Sequence, residues 1–318
     1  MTLLSKTRLA LVLMLGSAVA HADAGSYSFT PIVYSESNGT SILGINNLEQ
    51  ISGDSFTSGF TGSLGGSLTA FSYPNSGGTS LSGINNSGQV AGTAFTSITG
   101  STGFILGSDG TTRPISIPNA VYTAANSIND SGTIVGEYTP GSNPQGNTAG
   151  FLLTANGRVT PINYPGALNT AANGINDGGV VVGDYTMDGT GYGFIRNPSG
   201  TLSSVSFDGL DTVLYGINGS GTAVGWYLNA AGDPQGLIDN DGVLSTFNYP
   251  GTSFTRLYGI NDLGQIVGTA DGLVELNGNL VYEDIGFVAS PVPLPATAWL
   301  LLSALGGLGI AGFRRLGA

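Results

Sequence analysis

The chain has 318 residues, of which 53 are glycine, none is cysteine and only 9% are charged, with a formal net charge of −12. The lack of cysteine excludes disulfides, thiolate nucleophiles and zinc–sulfur sites, and 41% hydrophobic residues exclude a disordered chain. Between the two terminal segments four arginines face nineteen acids (4 − 19 = −15), a balance that argues against nucleic acid as a partner.

Residues 1–24 have the features of a secretory signal peptide. Lys6 and Arg8 precede an apolar run, residues 9–20, that is shorter than an ordinary membrane span. Ala18-Val19-Ala20 and Ala22-Asp23-Ala24 are both candidate cleavage sites, and an N-terminal membrane anchor is the alternative. The only histidine, His21, lies in this processing zone, so we do not expect it to serve chemistry.

Residues 25–288 carry six copies of one ten-residue phrase. The copies are GINNLEQISG from Gly44, GINNSGQVAG from Gly83, SINDSGTIVG from Ser127, GINDGGVVVG from Gly174, GINGSGTAVG from Gly216 and GINDLGQIVG from Gly259. Their isoleucines follow one another at 39 to 47 residues, a period typical of repeat architectures. Asn, Asp and Gly at the centre of the phrase favour a hairpin. The first copy has Glu49 in place of glycine, which suits an atypical end repeat.

Two further segments follow each phrase, so that each unit predicts four antiparallel strands. The third segment starts with Gly-Phe or its relatives, at Gly59-Phe60, Gly103-Phe104, Gly150-Phe151, Gly193-Phe194, Gly236-Leu237 and Gly272-Leu273. A second glycine turn and an alternating segment complete the unit. Four strands in about 43 residues predict an all-β fold, a β-propeller of about six four-stranded blades. An open β-solenoid is the alternative, and Ile-Val pairs such as Ile134-Val135 are expected between blades.

The sequence leaves the closure of the ring open. Residues 26–34 resemble a fourth strand placed before the first phrase, and Thr40 keeps the position that Thr170 and Thr255 hold before later phrases. Residues 280–282 offer the last blade a fourth strand of its own. Both segments cannot occupy the same place.

The repeat resembles the HAF family of extracellular repeats of bacteria. The phrase G-I-N-D-x-G-x-I-V-G, the following Gly-Phe and the Tyr-Pro-Gly-Ala stretch carry the resemblance, and residues 127–166 match best. Ala149 stands where the family has a histidine before Gly-Phe. The resemblance implies a repeat architecture and a surface location, and it brings no activity with it.

The C-terminus has the features of a sorting tail. A proline-rich linker, residues 289–295, precedes an uncharged span, residues 296–313, near the minimum length for a transmembrane helix. A basic tail, residues 314–318, follows and favours a cytoplasmic end. The motif residues are Val292, Pro293, Leu294, Pro295, Ala296, Arg314 and Arg315.

This order resembles the VPLPA form of the PEP-CTERM sorting tails, with Leu294 where the name-giving pattern has glutamate. The resemblance implies recognition by an exosortase, which is a membrane transpeptidase that cuts near the proline motif. It also implies a Gram-negative bacterium that makes exopolysaccharide. A plain C-terminal membrane anchor is the alternative.

The sequence supplies no catalytic constellation. After processing there is no cysteine or lysine to act as nucleophile or base, and Ser-His-Asp arrangements are excluded. Two acidic turns are candidates for calcium, the only cofactor that the sequence suggests: Asp239 with Asp241, and Asp184 with Asp188. The aromatic residues Tyr185, Tyr192, Trp226 and Tyr227 suit sugar stacking, but we expect them in the core.

These features predict a non-enzymatic protein of the cell envelope, outer surface or extracellular matrix. We expect a binding or scaffold module, sorted by an exosortase, with exopolysaccharide as a candidate partner and the membrane contacted through the C-terminal helix before processing. The alternative is a secreted carbohydrate-active enzyme that uses carboxylates only. The ligand-binding residues cannot be read from the sequence.

Overall fold

The computed structural model describes residues 19–22, 25–34, 39–55, 57–96, 100–142, 146–276 and 279–292, and these form twenty-five β-strands in six antiparallel sheets. The all-β, six-bladed propeller of the prediction is confirmed. Within the described ranges no helix is long and apolar enough to cross a membrane. The predicted transmembrane helix and most of the sorting motif lie outside these ranges.

The strands follow the chain as successive blades. Two strands precede the first phrase: β1 (Val19–Ala22) and β2 (Gly25–Ile32). Blades one to three are β3 (Ser41–Ile45), β4 (Gln50–Ser55), β5 (Ser58–Ser63), β6 (Leu68–Phe71); β7 (Gly78–Ile84), β8 (Val90–Phe95), β9 (Ser101–Leu106), β10 (Thr112–Pro114); and β11 (Ala120–Ile128), β12 (Ile134–Pro140), β13 (Ala149–Leu153), β14 (Val159–Ile162).

Blades four to six continue the pattern. They are β15 (Asn169–Ile175), β16 (Val181–Met187), β17 (Thr190–Arg196), β18 (Leu202–Val205); β19 (Thr212–Ile217), β20 (Ala223–Leu228), β21 (Pro234–Asn240), β22 (Val243–Thr246); and β23 (Thr255–Ile260), β24 (Ile266–Leu276), β25 (Asn279–Pro291) with β2. In each blade the first strand of the phrase is the inner strand, and the next strands lie progressively further from the axis.

The N-terminal strand closes the ring. β2 pairs with β25 from Tyr27↔Pro291 to Ile32↔Gly286, so it is the fourth strand of blade six, and β1 pairs on its outer side. The hydroxyl of Thr40 accepts a hydrogen bond from Tyr34 N at 2.9 Å. Thr170 and Thr255 accept equivalent bonds from Tyr164 and Tyr249. The passage from β2 to blade one therefore repeats the geometry of other blade-to-blade connections.

The prediction for the third strand of blade six is wrong. Gly272 lies in the second strand, β24, and the counterpart of Gly-Phe is Gly286-Phe287 in β25. The reason is the length of the β24–β25 hairpin, which stays paired from Ile266↔Ala289 to Leu276↔Asn279. Residues 280–282 belong to this hairpin and are not a fourth strand. The hairpin extends past the blade on the side where the inner strands begin.

The core lies between the blades. Gly-Phe places a fully buried ring in five blades, and Leu237 takes this place in blade five; the rings are Phe60, Phe104, Phe151, Phe194 and Phe287. The Ile-Val pairs face both neighbours as predicted, since Ile134 packs towards blade two and Val135 towards blade four. Burying one such side chain contributes roughly 1.5–3 kcal/mol.

Candidate functional site

The inner strands surround a central channel that the phrase isoleucines divide. Ile45, Ile84, Ile128, Ile175, Ile217 and Ile260 are buried and line both channel segments, of about 80 Å³ and about 90 Å³. We call the end at the phrase turns the lower mouth and the end where the inner strands begin the upper mouth. Each segment holds a few water molecules at most, so a larger ligand has access only to the mouths.

The lower mouth is closed by a circular hydrogen-bond network that we call the Asn ring. Its six members are Asn46, Asn85, Asn129, Asn176, Asn218 and Asn261. In each the Nδ2 atom donates to the backbone oxygen of the next member, at 2.9 to 3.4 Å, and Asn261 returns to Asn46. Each Oδ1 atom accepts a backbone N–H of its own turn. The phrase asparagine is therefore a structural residue that ties the blades together.

A second ring lies outside the first and has one gap. The backbone N–H of residues 47, 86, 130, 219 and 262 donates to the side-chain oxygen of the next blade, at 2.6 to 2.8 Å; the acceptors are Asn86, Asp130, Asp177, Asp262 and Asn47. The Asp177 N–H faces Gly219, which has no side-chain oxygen to offer. The asparagine or aspartate after Gly-Ile-Asn thus links blades as well as turning the chain.

The seam between blades six and one explains the irregular first copy. Glu49 takes the left-handed φ of 58° that glycine takes in the other turns, a conformation that costs an ordinary residue roughly 1–2 kcal/mol. Its Oε1 atom accepts a hydrogen bond from Gln265 Nε2 of blade six at 2.8 Å. The side chain therefore joins the first phrase to the last across the closing point.

A β-bulge in every inner strand sets what faces the channel. The pairing register shifts just before the phrase glycine in all six blades. Bulges commonly re-aim side chains next to functional sites. The bulged residues that line the upper channel segment are Leu43, Asn126, Asn173, Tyr215 and Tyr258. Glycine follows four of these five residues, and Ser127 follows Asn126. At Gly174 glycine is required, because a Cβ there would overlap the Tyr215 carbonyl of the next blade.

The second strands supply the rim of the upper mouth. The residue after the buried glycine of each second strand differs from blade to blade: Asp54, Thr93, Glu137, Asp184, Trp226 and Thr269. Each belongs to the strand face that is turned towards the next blade, and Asp54, for example, accepts a hydrogen bond from Ser80 Oγ of blade two at 2.6 Å. One structural position thus carries four residue types around the axis: aspartate twice, threonine twice, glutamate and tryptophan.

Blades three and four form an acidic sector: Asn126, Glu137, Asn173 and Asp184. Asp184 Oδ1 accepts a hydrogen bond from Asn173 Nδ2 at 2.8 Å. Burial raises the pKa of Asp184 to about 6, the negative charge of Glu137 adds to this, and the Asn173 bond opposes it. Burial also raises the pKa of Glu137, against hydrogen bonds from Thr148 and Tyr122. The sector presents two carboxyl groups that titrate above their usual range.

Blades five and six form an aromatic sector: Tyr215, Trp226, Phe254, Arg256 and Tyr258. The Arg256 Cζ atom lies 5.2 Å from the centroid of the Trp226 ring and 5.3 Å from that of Phe254. The rings of Tyr215 and Tyr258 meet edge to face at 5.1 Å. Burial raises the pKa of both tyrosines, and the charge of Arg256 opposes the rise. Both hydroxyls therefore stay protonated at neutral pH.

The predicted calcium residues are dispersed. Asp239 is buried and accepts the Gly242 N–H at 2.7 Å, while Asp241 is a turn residue with φ 53°. Asp184 lies at the upper mouth, and Asp188 lies in a hairpin turn four residues, or about 13 Å of strand, away. Within the described ranges no group of three or more His, Cys, Asp or Glu side chains is placed to hold a metal ion.

Three of the four singled-out aromatics belong to the core, as expected. Tyr185 stacks between Tyr164 and Tyr192, with ring centroids 3.6 Å and 5.3 Å away. Tyr227 is buried and packs on Phe207. Trp226 is the exception, because it takes the rim position of blade five and lies against Arg256 of blade six. Arg256, Tyr258, Glu137 and the inner-strand asparagines were missed by the sequence analysis.

A signal for the missed residues exists in the repeat alignment. Within an otherwise regular unit, the residue after the second-strand glycine and the residue before the phrase glycine vary in charge and size. Because the rest of the repeat is constant, variation at these two positions indicates that assembly of the ring does not require a particular residue there.

No protein-family model and no curated protein matches the chain. Solved structures similar to it include a gluconolactonase from Xanthomonas campestris, with a TM-score of 0.55, 9% identity and coverage of 90% of this chain and 98% of that one. Catalytically inactive virginiamycin B lyase from Staphylococcus aureus has a TM-score of 0.52, 12% identity and coverage of 84% and 100%. A luciferin-regenerating enzyme has a TM-score of 0.51, 12% identity and coverage of 87% and 98%. At these identities the likeness establishes the propeller fold alone.

Proposed function

We propose that the protein is an exported, non-enzymatic binding module of the cell surface or exopolysaccharide matrix, and that it holds a saccharide at the upper mouth. The observation that carries the proposal is the pairing of the acidic and aromatic sectors around one opening. Carboxylate and amide oxygens accept hydrogen bonds from sugar hydroxyls, and aromatic faces stack on sugar rings. The narrow channel below the mouth directs such a ligand to the rim.

The ends of the chain support export and sorting. β2 begins at Gly25, directly after the cleavage site Ala22-Asp23-Ala24, so cleavage there would leave the closing strand whole. The PEP-CTERM resemblance adds exosortase as the sorting partner. Deletion of residues 292–318 should release the protein into the medium or mislocalise it, and unchanged placement on cell fractionation would contradict the sorting proposal.

Binding is tested on residues 25–292, whose first and last strands both lie inside the closed ring. A glycan array should give binding that Trp226→Ala reduces at least tenfold, because the substitution removes the ring at the rim. Val243→Ser is the matched control, since Val243 is 70% exposed on an outer strand and should leave binding unchanged. An array without any saccharide signal would overturn the proposal.

A second candidate, a carbohydrate-active enzyme that uses carboxylates only, is favoured by Glu137 and Asp184. These are neighbouring carboxyl groups with raised pKa values, and the charge of one raises the pKa of the other. Two such groups in different environments can act as general acid and general base. The similar structures are named as enzymes, and this fold therefore accommodates catalysis.

Polysaccharide digestion separates the two functions. The purified protein is incubated with polysaccharides, and new reducing ends are measured for the parent and for Glu137→Gln and Asp184→Asn. Turnover that either substitution abolishes would establish the enzyme and overturn the non-enzymatic proposal. Binding without turnover supports the binding module.

A further inference from the structure

The aromatic sector contains two buried donors, Arg256 Nε and Trp226 Nε1, that form no hydrogen bond of regular geometry. Their side chains do interact with tyrosine hydroxyls, Arg256 with Tyr258 and Trp226 with Tyr215, and the Arg256 guanidinium lies against the Trp226 ring. Within the described ranges only Ser206 Oγ and Thr269 Oγ1 share this condition. A buried donor without an acceptor costs about 1–3 kcal/mol. Two adjacent donors that no regular hydrogen bond holds are suited to take a stronger acceptor from a ligand.

The guanidinium of Arg256 is held against two aromatic rings. The Trp226 and Phe254 rings lie against the guanidinium. Asp271 Oδ1 accepts hydrogen bonds from the backbone N–H groups of Ser253 and Phe254, at 3.0 and 2.8 Å, and these hold the Phe254 segment. Asp284 experiences the charge of Arg256 through space, which lowers a pKa that burial raises. A planar N–H edge backed by rings matches a carboxylate, which binds arginine in bidentate fashion.

The surrounding charges restrict the anion to a single negative charge. Asp54, Asp184, Glu137 and Asp284 belong to the upper mouth or its rim, and repulsion grows in proportion to the charge of a ligand. A phosphate dianion therefore meets about twice the repulsion of a carboxylate. Charges further than about 8 Å are largely screened at physiological ionic strength, so the net charge of the whole protein does not exclude a monoanion at Arg256.

We propose that the saccharide bound at the upper mouth is an acidic one, a uronate, and that Arg256 binds its carboxylate while the acidic sector accepts its hydroxyl groups. The inference rests on the proposed saccharide-binding function and adds the ligand class. It also assigns the Trp226 N–H as a second donor to the bound sugar acid.

The test uses one polymer in two chemical forms. Titration calorimetry measures binding of polygalacturonate fragments and of the same fragments after reduction of their carboxyl groups, to residues 25–292. Parent protein should bind the acidic form at least tenfold more tightly. Arg256→Gln should remove this preference, and Trp226→Phe, which keeps the ring and removes the N–H, should weaken binding of the acidic form three- to tenfold. Arg158→Gln is the control, because Arg158 is an exposed arginine outside the mouth.

The outcomes separate the two proposals. Binding of the reduced form alone, or equal effects of Arg256→Gln and Arg158→Gln, would overturn the uronate inference and leave saccharide binding intact. Failure of both forms, together with an empty glycan array, would overturn both. Circular dichroism of each variant verifies that a loss of binding is not a loss of fold, and Trp226→Phe provides the reading if Arg256→Gln does not fold.

Discussion

The two mouths of the channel are built from the same repeat and behave differently. At the lower mouth every blade contributes the same asparagine, and the Asn ring satisfies each member through its neighbours. At the upper mouth equivalent positions carry Asp54, Thr93, Glu137, Asp184, Trp226 and Thr269, and the buried donors Arg256 Nε and Trp226 Nε1 form no hydrogen bond of regular geometry. The constant residues of the repeat assemble the ring, while the variable ones are available for recognition.

The largest effect is expected from one substitution made at both mouths of blade three. Asn129 of the Asn ring accepts bonds from Thr133 N and Ser131 Oγ and donates to Asn176 O. Asn129→Ala should lower the free energy of unfolding by about 3 kcal/mol, because buried partners lose their bonds. Asn126 at the upper mouth makes two bonds, both donated by its Nδ2 atom, at 3.1 and 3.3 Å, so Asn126→Ala should cost about 1 kcal/mol. Urea denaturation measures the free energy of unfolding of both variants. Equal losses of stability would contradict the proposed difference between the two mouths.

A pH-dependent effect is expected at Asp184. Its pKa is raised from 3.8 to about 6, so the folded state binds the proton more tightly and the carboxylate destabilises the fold as pH rises through this window. Asp184→Asn should therefore add about 2–3 kcal/mol of stability at pH 8 and nothing below pH 3.8. Thermal unfolding at pH 3.5, 5 and 8 follows the gain. Asp188→Asn at the exposed hairpin turn is the control, and a gain independent of pH would refute the assignment.

The smallest effect is expected from filling the gap in the second ring. Gly219→Asn supplies the missing acceptor for Asp177 N–H, and the flexible Asp262 carboxylate next to the new Cβ must shift slightly. Gly219→Ala adds a Cβ without an acceptor, and both variants lose the same glycine freedom in the unfolded chain. The asparagine variant should be about 0.5–1 kcal/mol more stable than the alanine variant. Equal thermal stability of the two variants would mean that the hydrogen bonds of the second ring do not stabilise the fold.

The fold could be predicted from the sequence because each of the six repeats carries the same structural signals. Turn chemistry, the Gly-Phe rings and the Ile-Val pairs each recur with the same period, so that errors in one copy are corrected by the others. The strands of blade six were not predicted correctly, because its long hairpin places Gly-Phe at Gly286-Phe287 and its fourth strand comes from the N-terminal end of the chain. Residues 26–34 and residues 280–282 both have the residue pattern of a strand, so the local sequence does not decide which of them is the fourth strand.

The candidate site was less accessible because it depends on tertiary geometry. A one-residue β-bulge places Asn173 and Tyr258 at the channel. No local residue pattern predicts this bulge. Arg256 gains its setting from Trp226, thirty residues earlier in the neighbouring blade. The sequence analysis named Asp239 and Asp184 as calcium candidates in acidic turns and expected the aromatics in the core. Asp239 does lie at a turn and Tyr185 in the core, whereas Asp184 lies within β16 and Trp226 packs against Arg256.

The direction of β25 determines on which side of the propeller the C-terminal segment leaves the fold. The strand ends at Pro291 beside the lower turn of blade six, where Gln265 donates to Ser290 at 3.2 Å. The polypeptide therefore exits from the underside of the disc, close to the Asn ring. If the proposed tail attaches the protein to a membrane, the lower mouth is the side nearer to the membrane, and the opening between the acidic and aromatic sectors faces away from it.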